Sequence, residues 1–95
     1  MMLYVHSIVE RKLTADTSVL AFDPADTLYA NRADVLFRDG PTLVSLNGAA
    51  PDPDTARVFG DGDQLDLQSP AEIQQFRATR SGATNGLLYV VFFKW

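Results

Sequence analysis

The sequence predicts an all-β fold: an antiparallel β-sandwich or small barrel of about eight short strands, in a single domain spanning residues 1–95. Three observations carry that expectation. Turn-forming pairs recur at close and regular spacing: Asp23-Pro24, Asp39-Gly40-Pro41, Asn47-Gly48, Asp52-Pro53, Gly60-Asp61-Gly62, Ser69-Pro70, Ser81-Gly82 and Asn85-Gly86. Between them lie short runs rich in Val, Leu, Phe, Tyr and Thr, the residues that suit a pleated, half-buried surface. Several of these runs alternate, as where Leu65 and Leu67 are set against Gln64, Asp66 and Gln68.

Taken in order, the strand candidates are LYVHSIV, SVLAF, TLYA, DVLFR, TLVSL, ARVF, QLDL, IQQFRATR and LLYVVFF. DVLFR and TLVSL read as a hairpin closed by Asp39-Gly40, with Pro41 removing a backbone donor just after the turn. IQQFRATR and LLYVVFF read as a second hairpin closed at Asn85-Gly86. One stretch has an alternative: PAEIQQFR can open a short helix, with Pro70 in a first turn and Glu72 at the acid-favoured end. Residues 1–32 read as either an additional strand or an arm reaching a neighbouring molecule.

Composition restricts function. A chain of 95 residues buries about two-thirds of the surface its unfolded form exposes, enough for one core. An apolar fraction of 46% against 21% charged residues separates it from disordered chains. Its net charge is −4, and Asp52, Asp54, Asp61, Asp63, Asp66 and Glu72 share their stretch only with Arg57. Such a chain has no basic stripe for phosphate backbones, so no nucleic-acid partner is expected. With no cysteine, neither a disulfide framework nor a thiolate metal site is available. The start MMLYVHSIVERK lacks the pattern of a signal peptide, and the seven apolar residues 87–93 fall far short of the roughly 20 of a membrane helix. A soluble protein without a membrane partner is the expectation.

No catalytic constellation stands out, and no enzyme activity, cofactor or metal is expected. His6 is the single histidine, so it is the sole candidate base for a Ser-His-Asp arrangement; in the alternating run Tyr4, His6, Ile8 a packed imidazole is the simpler reading. Asp61, Asp63 and Asp66 resemble part of a calcium loop, but the downstream glutamate of an EF-hand is missing and a turn leading into a strand accounts for them. The GDGD segment sets carboxylates where a phosphate needs bare amides. Tyr4, Tyr29, Tyr89 and Trp95 are the pool for a sugar-binding platform, with most expected in the core.

The second half of the chain carries a resemblance. The succession ADVLFRDGPTLVSLNG and then VFGDGDQLDLQSPAEIQQFRATRSGATNGLLYVVFF resembles the small β-sandwich structural proteins of tailed-bacteriophage virions. The matching residues are Gly62, Asp63, Leu65 and Leu67; Ile73, Phe76, Arg77, Ala78 and Arg80; then Gly82, Thr84, Asn85, Gly86 and Leu88 to Phe93. They lie within residues 33 to 95. The resemblance implies a capsid decoration, or cement, protein on the virion surface, binding the major capsid protein as a homo-oligomer with a trimer as the default. Tail and head-completion components are the related alternatives, and a small carbohydrate-binding sandwich is a further one.

The final strand locates the expected contact surface. A run apolar at every position needs cover on both faces. Side chains alternate, so Leu87, Tyr89, Val91, Phe93 and Trp95 share one face and Leu88, Val90, Phe92 and Lys94 the other. Pairing this strand with residues 72–84 joins Phe76 and Ala78 to the first face, and Arg77 and Thr79 to the second. On that pairing the first face is the core, and Leu88, Val90 and Phe92 with Arg77 and Thr79 are the subunit or capsid interface.

Overall fold

The computed structural model describes residues 6–94, with side chains from residue 9 onward. Among these residues seven strands and two short helices follow one another as β1 (His6–Ala15), α1 (Pro24–Thr27), β2 (Arg32–Asp39), β3 (Thr42–Ser45), β4 (Arg57–Phe59), β5 (Gln64–Leu67), α2 (Pro70–Gln75), β6 (Arg77–Arg80) and β7 (Gly86–Lys94). The strands form two antiparallel sheets, in the orders β1-β7-β2-β5 and β4-β3-β6, so the fold is the all-β sandwich that the turn spacing predicts.

Side-chain alternation builds the core. Ala33, Val35 and Phe37 of β2 and Leu88, Val90 and Phe92 of β7 face Val44, Phe59 and Ala78 of the smaller sheet, all within one buried cluster. The Phe37 and Phe59 rings stack across the layers at 4.6 Å, and Phe22 stacks on Phe76 at 4.4 Å while meeting Phe92 edge-on at 5.1 Å. Phe22 belongs to the stretch SVLAF, which forms a single bridge instead of a strand: Leu20 and Ala78 exchange backbone hydrogen bonds of 2.8 and 3.0 Å. This segment follows β1 directly, so the chain passes from the edge of one sheet to the edge of the other.

The two expected hairpins are not formed. Among the described strands only β3 and β4 are neighbours in both chain and sheet. Asp39-Gly40 carries the chain from β2 in the larger sheet to β3 in the smaller, and the 81–85 segment carries it from β6 back to β7. These two crossings pack against each other. Gly40 N–H donates to Asn85 O at 3.3 Å, and Ser81 N–H donates to Pro41 O at 2.8 Å. A Cβ on Gly86 would collide with Thr42 Oγ1 and lie 2.8 Å from Gly40 O, and one on Gly40 would collide with Thr84 O. Glycine is therefore needed at both positions for space, and Asp39 supplies the turn itself with φ 64°.

The segment IQQFRATR divides between α2 and β6. Ser69 Oγ accepts from Glu72 N–H at 3.2 Å, and Glu72 Oε2 reaches back past the cap to accept from Gln68 N–H at 2.8 Å, with Pro70 in the first turn. TLYA forms no strand either: α1 ends at Thr27 and Leu28 and Tyr29 turn, with α1 capped by Asp23 Oδ1 accepting from Ala25 N–H at 2.9 Å. Residues 6–32 form no free arm: β1 pairs with β7 from His6 to Ala15, with one bulge between Ser7 and Val9.

The face assignment of β7 is inverted. Leu88, Val90 and Phe92 are buried in the core, at 0%, 1% and 1% exposure, and cannot form a contact surface in the folded chain. The cause is the partner: β7 pairs with β1 and β2, not with residues 72–84. Phe76 and Ala78 are core residues as expected, but they belong to the opposite side of the cluster, where Phe22 links the Phe76 ring to that of Phe92. Arg77 and Thr79 lie on the outward face of the smaller sheet, away from β7, with Thr79 beside Leu43. Arg77 folds back to give hydrogen bonds to Gln74 O and Phe76 O at 2.8 and 2.7 Å.

Candidate interaction surface

With its even-numbered residues in the core, β7 turns Leu87, Tyr89, Val91 and Phe93 outward. β7 is flanked on both sides by strands, so this apolar row runs down the interior of the sheet. Leu36 of β2 lies beside Tyr89 and widens the row. None of these side chains is fully covered, and Tyr89 is 40% exposed. Tyr89 and Val91 line two shallow depressions on this face. One, of about 540 Å³, is bounded by Arg32, Asp34, Leu36 and Asp66; the other, of about 380 Å³, is bounded by Glu10 and Lys12.

Charged residues frame the row. Glu10 and Lys12 of β1 lie opposite Val91 and Tyr89, and the Lys12 ammonium sits 5.8 Å from the Tyr89 ring centre. Across the row, Arg32 gives Asp66 two hydrogen bonds of 2.9 and 3.0 Å and approaches Asp34 at 3.7 Å. Gln68 adds a third contact to Asp66 at 3.3 Å. These bonds, led by the one from Arg32, hold the Asp66 carboxyl below the usual aspartate range. Partial burial, and the hydrogen bond a protonated Asp34 gives Asp66, push the Asp34 carboxyl up. Arg32 is raised in turn, first by its bond to Asp66.

The remaining sequence candidates are dispersed. Asp61 Oδ1 accepts from Asp39 N–H at 2.9 Å, Asp63 Oδ2 accepts from Gly60 N–H at 2.7 Å, and Asp66 is held by Arg32, so the three carboxylates do not converge on an ion. Among the described residues no three His, Cys, Asp or Glu side chains gather at metal-binding distance. His6 opens β1, and its side chain, like Tyr4 and Trp95, lies outside the described residues. Tyr29 is 66% exposed, with the Lys94 ammonium 5.2 Å from its ring centre. A further depression of about 420 Å³ lies under residues 46–56, but the polar groups along it hold the loop itself: Ser45 donates to Ala49 O, Asn47 accepts from Ala49 N–H, and Asp52 accepts from Asp54 N–H. No described helix is long and apolar enough to cross a membrane.

A strand apolar at every position has no phase of its own, so which of its rows faces outward depends on the strands it pairs with. One signal in the sequence does point the right way: Tyr89 is the single residue of 87–93 with a polar group to keep wet, which favours the odd face as the outer one. Compared with known protein families and with characterised proteins, the sequence matches none.

Proposed function

We propose that this chain is a non-enzymatic structural protein that binds another protein through the outward face of its four-stranded sheet. The supporting observation is the row Leu87, Tyr89, Val91 and Phe93, apolar and partly exposed in the middle of the sheet and framed by the charges of Glu10, Lys12, Arg32, Asp34 and Asp66. An apolar centre containing an aromatic anchor, bordered by a polar rim, is the anatomy of a protein interface. On the resemblance of residues 33–95 to tailed-phage virion proteins, the partner is the major capsid protein and the role is decoration and reinforcement of the shell. A tail or head-completion role would use the same face on a different virion component.

Protein identification on purified virions tests this directly. The chain is expected as a stoichiometric component that purified shells recapture after it has been stripped off. Its absence from virions would reject the decoration role, and failure of shells to rebind it would reject the capsid as partner.

A further inference from the structure

β1 is an edge strand, and hydrogen bonds elsewhere in the sheet fix which of its backbone groups face outward. Phe37 N–H donates to Asp63 O at 2.9 Å and Phe37 O accepts from Gly62 N–H at 2.7 Å, so Phe37 faces the β5 side. Successive residues of an antiparallel ladder turn to opposite sides. Leu36 and Arg38 therefore face β7, their partners Tyr89 and Leu87 face β2, and Leu88, Val90 and Phe92 face β1. The bond from Asn31 N–H to Phe93 O, at 2.9 Å, agrees with this phase. Leu13, Arg11 and Val9 then face β7, and Glu10, Lys12 and Thr14 point their N–H and C=O groups away from the sheet. Two contacts on that edge concur: Arg11 Nη1 reaches Glu10 O at 3.1 Å, and Asp16 O accepts from Arg80 N–H at 2.9 Å. Among the described residues no strand pairs with the edge from Glu10 to Thr14.

Residues 9–13 read Val-Glu-Arg-Lys-Leu, a self-complementary string about Arg11. We infer that two copies of this chain join antiparallel along β1, about a two-fold axis at Arg11, so that the two four-stranded sheets become one continuous sheet. In this register Glu10 lies opposite Lys12 of the second copy, and Lys12 opposite its Glu10, on the outward face. Val9 lies opposite Leu13 on the inner face; both are only partly buried in the single chain, and each gains cover from the other. Glu10 and Lys12 are also the residues whose backbone groups are free, so each cross-copy pair exchanges both N–H···O bonds. The Glu10 carbonyl has a second lone pair beside the one Arg11 uses.

The alternatives are unfavourable. Displacing the second copy by one residue sets free backbone groups against occupied ones. Displacing it by two brings Glu10 against Glu10 or Lys12 against Lys12, like charges directly opposite. The chosen register does bring Arg11 against Arg11, but each guanidinium is already neutralised by Asp26, with bonds of 3.0 and 2.9 Å. The two outward apolar rows then lie on one surface, and the pairing holds whatever partner that surface takes.

The test is the mass in solution of the full chain at tens of micromolar, with circular dichroism to check folding. Twice the 10.5 kDa of a single chain is expected. Glu10→Lys turns two opposite-charge contacts into like-charge ones and weakens the dimer about tenfold, and Lys12→Glu does the same. The double variant Glu10→Lys/Lys12→Glu restores it. A monomer would overturn the inference and make the charges of β1 a guard against edge pairing. A trimer, a dimer indifferent to Glu10→Lys, or a double variant that stays weak would overturn it as well. A monomer that still binds capsid shells would reject the pairing and leave the proposed function standing.

Discussion

Phe92 and Phe93 are adjacent on β7 and face opposite sides of the sheet, so replacing each with alanine measures the phase of the strand. Phe92 is 1% exposed, packs edge-on against Phe22 at 5.1 Å, and belongs to the cluster that holds both layers together. Removing a ring from such a site costs roughly 3–5 kcal/mol, counting lost transfer energy and the cavity left behind. A domain of this size has about 5–15 kcal/mol in total, so Phe92→Ala uses up a large share of it. Phe93 is only partly covered, and its loss costs about 1 kcal/mol, the scale of incomplete apolar burial. At about 4–8 °C per kcal/mol, Phe92→Ala lowers Tm by more than about 12 °C and Phe93→Ala by about 4–8 °C. Urea and thermal unfolding followed by far-ultraviolet circular dichroism read both values. A Phe93→Ala loss equal to or larger than that of Phe92→Ala would refute the phase, and with it the placing of Leu87, Tyr89 and Val91 on the surface.

Three other outcomes follow from the packing and electrostatics. Gly86→Ala drives a methyl into Thr42 Oγ1 and toward Gly40 O, where two backbones cross, and should cost about 2–3 kcal/mol in urea unfolding, whereas Gly82→Ala, with open space around it, should change stability by less than about 0.5 kcal/mol. Ser69→Ala removes the acceptor for Glu72 N–H and should cost about 1 kcal/mol, with Ser69→Asp retaining most of the stability. Asp34 has a folded pKa above its ordinary value, so its ionised form opposes folding at neutral pH, and the penalty disappears as pH falls through the interval between the raised value and the ordinary one. Asp34→Asn should therefore stabilise the protein at pH 7 by less than about 1 kcal/mol, this half-exposed site being screened by solvent, and the gain should be absent at pH 3. Asp66 has the opposite sign: its contribution is complete above the ordinary aspartate value and is lost as pH falls through its lowered one.

Elements with a period of their own were legible in the sequence. In β2, Ala33, Val35 and Phe37 alternate with Arg32, Asp34, Leu36 and Arg38, and the structure buries the first set. The same holds for Leu67 against Asp66 and Gln68 in β5. What could not be read was long-range pairing. Asp39-Gly40 and Asn85-Gly86 carry strong hairpin chemistry, yet each sits where the chain changes sheets, because Gly40 and Gly86 are needed for two backbones to cross. β7 is apolar at every position, so its phase followed from whichever partner was assumed, and the wrong partner inverted it. The short helix α2 was signalled by Ser69, Pro70 and Glu72, which match a capping pattern that outweighs the strand propensity of Ile73 and Phe76.

Docking on another protein, proposed as the capsid shell, falls to the outward face of the four-stranded sheet. Co-sedimentation of Tyr89→Asp with purified shells tests it most directly, because Tyr89 is the most exposed aromatic of the row and a carboxylate there leaves the core untouched. The variant is expected to keep native circular dichroism and a melting temperature within a few degrees of the parent, while its shell binding falls at least tenfold. A folded Tyr89→Asp protein that binds shells as tightly as the parent would contradict it.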